Sequence, residues 1–488
     1  MNVPLRWYLT SSAFVLIPGG IQAVLFPWFV AVYLHESPAK VGFAQMAGQL
    51  PMLALILVGG LIGDRVDQRR LLIRLHLLMI VPPLLMATVV YAGLLAYPLL
   101  ICWALVGGVL GAFAQPTRDA LLSRVAGNGI AGNGIAGNGV AGNEIAGHDI
   151  QRVVMLATAV QFGVQILGFA VGSMADRVGP IPLMLVQAAS MGLCVLATQR
   201  LPSFGAHDLG GHDVGAHVVD AHVVDAHVVD AHDARAPVMP SANMSISALP
   251  TVSTAPSVRS LLRDIGEGLS IAWHSREIRP ALALIFATGL FFAGTYMVVL
   301  PLMVRDIYHG GASGIALSFA LNMLGTVCTI FVLMRRGGLE RPGRGLLLAG
   351  SISCCVLLAM HFPLPMWGFY LDTFIWGMCG GISMTMGRSI VQEAAPASHR
   401  ARVMSVYSLG MMGGMPIGSA VLGWCVGQFG ARDTVLVSVI GMASVLLLVR
   451  LTTQLWVAQR ATPHSAAEAP QATSDSQQQV GALAPARS

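Results

Sequence analysis

Lysine is almost missing from this chain: Lys40 is the single one among 28 basic residues, and the rest are arginine. A phosphate-binding loop of the form G-x-x-x-x-G-K-[ST] needs a lysine followed by serine or threonine. Lys40 is followed by Val41, so the chain carries no nucleotide-driven motor of that type. Charge of either sign is scarce, at 10% of residues, where a soluble domain carries about 25%. With 55% hydrophobic residues and a mean hydropathy of +0.70, too little polar surface remains to cover a water-soluble body. The net charge of +5 is small and no basic stripe interleaves with aromatics, so nucleic acid is not an expected partner. Neither H-E-x-x-H nor G-x-S-x-G occurs and no catalytic carboxylates cluster, which argues against an enzyme. The seven cysteines (Cys102, Cys194, Cys328, Cys354, Cys355, Cys379, Cys425) form no C-x-x-C pair and sit inside apolar runs. They read as buried free thiols rather than disulfides or zinc ligands. No cofactor and no metal site is expected.

What the chain has is long apolar runs. A helix crossing a hydrocarbon core about 30 Å thick needs about 20 predominantly apolar residues. Such runs are Trp7–Leu34, Val41–Gly63, Leu77–Thr117 (two segments, broken at Ala92–Pro98), Val153–Ala175 and Val178–Gln199. After a polar stretch come Pro280–Val304, Gly310–Met334, Gly345–Phe362, Met366–Gly387, Val403–Ala431 and Thr434–Trp456. The expected fold is therefore an all-α membrane protein of twelve spans, six in each half. The expected units are a six-helix bundle over 1–201, a cytoplasmic linker over 202–278, a second bundle over 279–456 and a disordered tail over 457–488. With both termini inside, Lys40, Arg177, Arg305 and Arg432 fall on the outer side and the remaining basic residues on the inner side. That is the sense of the positive-inside rule. The expected location is the cell (inner) membrane.

Two pentapeptide tracts interrupt this plan. Residues 126–150 read AGNGI AGNGI AGNGV AGNEI AGHDI, and the linker repeats His207, His212, His217, His222, His227 and His232 every five residues. Histidines five apart lie about 140° from one another around a helix, so no face gathers them for a metal. Tandem duplication within solvated loops accounts for both tracts. Later in the linker, Val258, Leu261, Leu262, Ile265, Leu269 and Ala272 share one helical face, as in an amphipathic helix lying on the membrane surface.

The loop after the second segment reads G60-L-I-G-D64-R65-V-D-Q-R69-R70. It resembles the signature G-x-L-A-D-R-x-G-R-[KR] of the major facilitator superfamily, with Gly63, Asp67 and Gln68 as departures. S37-P-A-K-V-G42 with L50-P51, and the stretch Gln392 to Gly418, resemble the enterobactin-exporter and macrolide-efflux branch. Internal symmetry agrees: G60-x-x-x-D64-R65-V66 recurs as G172-x-x-x-D176-R177-V178, at the ends of the second and fifth segments. Gly107, Gly111 and Arg118 match Gly377, Gly381 and Arg388 in spacing, as small residues that let helices approach closely.

The resemblance implies a gate built on Gly60, Asp64, Arg65, Arg69 and Arg70. Asp64 would face the N-terminus of the eleventh helix, and Asp119 is the chosen partner for an arginine. Polar residues within the bilayer usually face a cavity or another helix. Gln22, Gln161, Gln165 and Asn322 are the candidates for a substrate path, and Asp372 for carrying a coupling proton. The fifth segment, G163-V-Q-I-L-G168-F-A-V-G172, lacks the proline of the antiporter signature, so antiport rests on the branch resemblance. The expected function is proton-driven efflux of amphipathic small molecules, siderophore-like or drug-like. The alternatives are uptake by the same fold and metal export through the His-rich loop. The expected partners are a small-molecule substrate and the lipid bilayer, with the protein acting as a monomer.

Overall fold

The computed structural model describes residues 3–131, 161–201, 258–276, 278–336, 339, 341–396 and 399–453, which are helical with short connections and no strand. The side chains of Gly60, Asp64 and Arg65, the His repeats and the tail lie outside the described set.

The first half contains α1 (Val3–Trp28), which runs on through a π-helical turn at Phe29–Tyr33, and α2 (Pro38–Arg65). Pro38 occupies the first turn of α2, where a missing N–H breaks no helical bond. Next come α3 (Gln68–Tyr91), α4 (Tyr97–Ala131), α5 (161–172) and α6 (Pro180–Gln199), with a helical turn at Ala175–Val178 between the last two. Helix α4 reaches into the first repeat tract, which the sequence reading assigned to a loop.

In the second half, α7 (Val258–His274) precedes α8, a succession of Ile278–Ala287, π-helical Thr288–Ala293 and Thr295–Val299, and Leu300–Asp306. Then follow α9 (Ala312–Arg335), α10 (Pro342–His361) and α11 (Met366–Ala394). The helical stretch Arg400–Thr452 is broken at Gly430, whose φ of +85° a residue with a Cβ rarely adopts, giving α12 (400–429) and α13 (431–452). Eight described stretches are long and apolar enough to cross a membrane, the last of them containing both α12 and α13. The protein is a multi-pass membrane protein.

A bilayer core offers the backbone no water, so each spanning helix satisfies its own peptide groups. Leucines such as Leu85, Leu196 and Leu448 can then point outward at no cost. Between helices, polar contacts do part of the joining. Ser11 Oγ on α1 lies 2.7 Å from Thr198 Oγ1 on α6, and His76 Nδ1 on α3 lies 3.3 Å from the same oxygen. Thr295 and Ser438 meet at 2.7 Å in the second half. Such bonds average about 0.6 kcal/mol within membranes, so they orient helices more than they stabilise them.

The halves meet backbone to backbone where α2 crosses α12: a Cβ on Gly42 would fall 2.8 Å from the Gly423 Cα. The matched glycines of α4 and α11 behave differently. A Cβ on Gly377 would fall within 1.9 Å of the Asn322 oxygen on α9, whereas Gly107 and Gly111 face open space. It is Gly108 that lets α4 close on Gly48 of α2. Helix α7 lies against the start of α12. Ala272 is buried, Arg402 donates to Glu267 at 2.6 Å, and Leu269 and Trp273 stay exposed, the position an interfacial helix would give to lipid.

Candidate functional site

Lys40, Arg177, Arg305 and Arg432 gather at one end of the bundle, called here the Lys40 end. The opposite end carries Arg69, Arg70, Arg118, Arg335, Arg341, Arg388 and Arg402 and is arginine-rich.

At the Lys40 end the two halves are clamped. Asp176, in the helical turn after α5, accepts a hydrogen bond from Trp28 Nε1 on α1 at 2.9 Å and from the Ser313 amide at 3.2 Å. Ser313 belongs to the first turn of α9, where the unsatisfied N–H groups and the helix dipole favour a negative charge. Gly311 makes room for it, since a Cβ there would lie 2.4 Å from both carboxylate oxygens. Arg305 of α8 crosses the other way, donating to the Ala31 and Glu36 carbonyls at 3.0 and 3.2 Å. Beneath them Phe169 and Phe319 meet across the halves at 5.8 Å.

At mid-depth below this clamp lies a cavity of about 410 Å³, walled by α1, α2, α3, α4 and α6 and closed on one side by Met297 of α8. Gln22, Gln45, Gln49 and Gln187 provide most of its polar lining, and Trp103 and Phe26 much of its apolar wall. Pro301, four residues on, has no N–H to offer the Met297 carbonyl, which accepts from Gln45 Nε2 at 3.2 Å. Gln187 Nε2 reaches Pro18 O at 3.4 Å and Gln22 Oε1 at 3.5 Å, while Gln49 Oε1 is buried with no partner.

Of the expected substrate-path residues, Gln22 lines this cavity. Gln161 is exposed on α5, and the backbone of Gln165 packs against Gly20 of α1. Asn322 donates to the Thr373 carbonyl of α11 at 3.2 Å, a bond between helices. Gln45, Gln49 and Gln187 escaped the sequence reading, although Gln45 and Gln49 have the same four-residue spacing that drew attention to Gln161 and Gln165. Asp176 was also missed as a site residue, and the repeated G-x-x-x-D-R-V motif was the signal for it.

At the arginine-rich end, Asp67 caps α3 by accepting from the Arg69 and Arg70 amides at 2.9 and 3.3 Å. The departure from the signature glycine therefore has a local role. Arg69 donates to the Gln199 carbonyl at the end of α6, within the same half. Arg70 lies 3.5 Å from Asp67, an exposed pairing of little strength. Asp119 is exposed and within electrostatic reach of Arg118 and of Arg388 on α11, in the other half.

Asp372 is buried in α11, and its Oδ2 has no hydrogen-bond partner. It sits toward the Lys40 end. Tyr308, in the connection after α8, has its hydroxyl pushed above the ordinary tyrosine range by burial, with Arg432 pulling it down and Asp372 adding to the rise. Among the described residues, no three His, Cys, Asp or Glu side chains are placed to hold a metal ion.

Comparison with known proteins agrees with this architecture. Residues 5–144 match the family model described as transmembrane secretion effector, and residues 253–482 match the model of the Major Facilitator Superfamily. The uncharacterized MFS-type transporter YwfA of Bacillus subtilis (strain 168) is 29% identical over 136 residues, which are 27% of this chain and 30% of YwfA. The match thus spans less than a third of that relative. A variant of the nucleoside transporter NupG superposes with a TM-score of 0.63 at 13% identity, covering 92% of this chain and 99% of NupG. The peptide transporter POT in complex with sulfate gives 0.57 at 13% identity, covering 93% and 95%. At these identities the likeness is one of fold.

Proposed function

We propose that this chain, which matches family models of the major facilitator type over residues 5–144 and 253–482, is a twelve-helix secondary active transporter of that superfamily that exports amphipathic small molecules by alternating access, driven by the proton gradient. The observation that carries this reading is a cavity in the first half, closed by Met297 of the second, in a bundle whose halves are clamped together at one end. A site that must open to either side in turn needs contacts of this kind at each end, made and broken alternately.

The positive-inside rule makes the arginine-rich end cytoplasmic, with both termini there, and the Lys40 end external. Asp176, oriented by Trp28, and Arg305 then hold the outer gate through Ser313 and the Ala31 and Glu36 carbonyls. Gly60, Asp64, Arg65, Arg69, Arg70 and Asp119 serve the inner one, with Asp119 and Arg388 approaching across the halves. Asp372, an acid held without a hydrogen-bond partner for one of its oxygens, is the proton carrier. Export rather than uptake is favoured by the match of the first half to a secretion-effector family and by the efflux-branch resemblance of Gln392 to Gly418.

Everted membrane vesicles containing the chain, acidified inside, test this with a panel of fluorescent amphipathic compounds. Accumulation in everted vesicles that collapses with the pH gradient is expected. Accumulation only in right-side-out vesicles would establish uptake instead.

A further inference from the structure

The cavity beneath the outer clamp has a chemical character of its own. No Asp, Glu, Lys, Arg or His is among the described residues that line it. Its polar lining is dominated by the side-chain amides of Gln22, Gln45, Gln49 and Gln187, set among Trp103, Phe26, methionines and prolines. A charged ligand entering here would leave water without meeting a counter-charge, which a low-polarity site penalises heavily. An uncharged one would lose little and gain the apolar wall.

The polar groups narrow the class further. Gln45 and Gln187 already spend donors on the Met297 and Pro18 carbonyls. Gln49 Oε1 is buried and has no surface facing the void, so few polar groups are left to meet a ligand. The volume of about 410 Å³ lies within the range of small-molecule sites, about 300–1,000 Å³. Gly19 and Gly107 both line it and have nothing within 4 Å of where a Cβ would stand, so their missing side chains are part of the space.

We propose that this cavity is the substrate site and that it selects uncharged amphipathic molecules with an apolar, aromatic-sized body. Carboxylates, polyanionic metal chelates and quaternary ammonium compounds are excluded. This rests on the transporter reading and sharpens it, because siderophore-like anions drop out of the expected substrates.

The test uses the purified full chain in nanodiscs and three probes sharing one fluorophore: neutral dansylamide, anionic dansylglycine and cationic dansylcholine. Binding is read by energy transfer from tryptophan. The neutral probe should bind at least tenfold more tightly than either ion. Gly107→Leu and, independently, Gly19→Leu should abolish its binding in protein that still elutes as a single species. Equal affinity across the three probes, tighter binding of an ion, no binding of dansylamide, or binding indifferent to both glycine variants overturns the proposal. A vesicle transport assay keeps the two claims apart. Selective neutral binding without gradient-driven movement sinks the transporter reading and leaves the site standing. Movement of dansylglycine or dansylcholine blocked by Gly107→Leu does the reverse.

Discussion

Replacing Asp176 by asparagine keeps the side chain's size and its ability to accept hydrogen bonds, but removes the negative charge from the first turn of α9. One contribution across the halves is lost. The charge at the helix N-terminus is worth about 0.3–1 kcal/mol for an exposed group, and Asp176 is exposed. The Trp28 bond also weakens, but Trp28 and Asp176 belong to the same half, so it drops out of the balance between gate states. About 0.3–1 kcal/mol is enough to shift a balanced equilibrium between two gate states roughly two- to fivefold. A cysteine at Gly19, in a background without the native thiols, reports on the cavity. Its labelling by an impermeant maleimide added outside intact cells should speed up roughly two- to fivefold in Asp176→Asn. Gly311→Ala attacks the same contact from the other side, since its Cβ would fall 2.4 Å from both carboxylate oxygens and must displace them. It should raise labelling in the same direction. Unchanged labelling in both variants, with normal membrane levels, would refute the clamp and leave Asp176 as an ordinary surface acid.

Four further outcomes follow from the same account. Cysteine at Leu94, exposed in the connection at the Lys40 end, should label from outside intact cells, and cysteine at Arg336 should not; the reverse pattern inverts the topology. Arg65→Ala and Asp119→Ala should each lower transport without loss of insertion, and together should cost less than their sum; full additivity in the vesicle assay makes them topology anchors only. Asp372→Asn should abolish gradient-driven accumulation while substrate exchange at equal pH continues; retained accumulation removes Asp372 from coupling. Deleting 132–143 or 215–230, within the tracts expected from sequence to be loops, should leave transport within about twofold, because loop length costs only about 0.6 kcal/mol per doubling. Selective loss of zinc tolerance after the second deletion would bring back the metal reading.

The spanning helices were legible because about 20 apolar residues in a row have few other uses. The surface helix was legible from its one-sided apolar pattern, although Ala272 turned toward protein while Leu269 and Trp273 stayed exposed. What the sequence cannot display is which polar face of a helix meets which neighbour. Gln45/Gln49 and Gln161/Gln165 have identical spacing, yet the first pair lines the cavity and the second does not. The matched glycines show the same limit: Gly377 is pressed against Asn322 while Gly107 opens onto space. Trp28, Asp176 and Ser313 come from three separated segments: packing within the first half brings Trp28 to Asp176, and the packing of the halves brings in Ser313. Even so, the repeated motif marked Asp176 as worth attention before any packing was known.

The central claim is that the two ends of the bundle open in alternation around the cavity. Paired spin labels test it directly, one pair at His35 and Phe362 across the Lys40 end and one at Arg70 and Arg335 across the arginine-rich end. In nanodiscs, adding dansylamide and lowering the pH should change the two distance distributions in opposite senses, one narrowing as the other widens. Two distributions that stay fixed, or that widen together, would contradict alternating access in this protein.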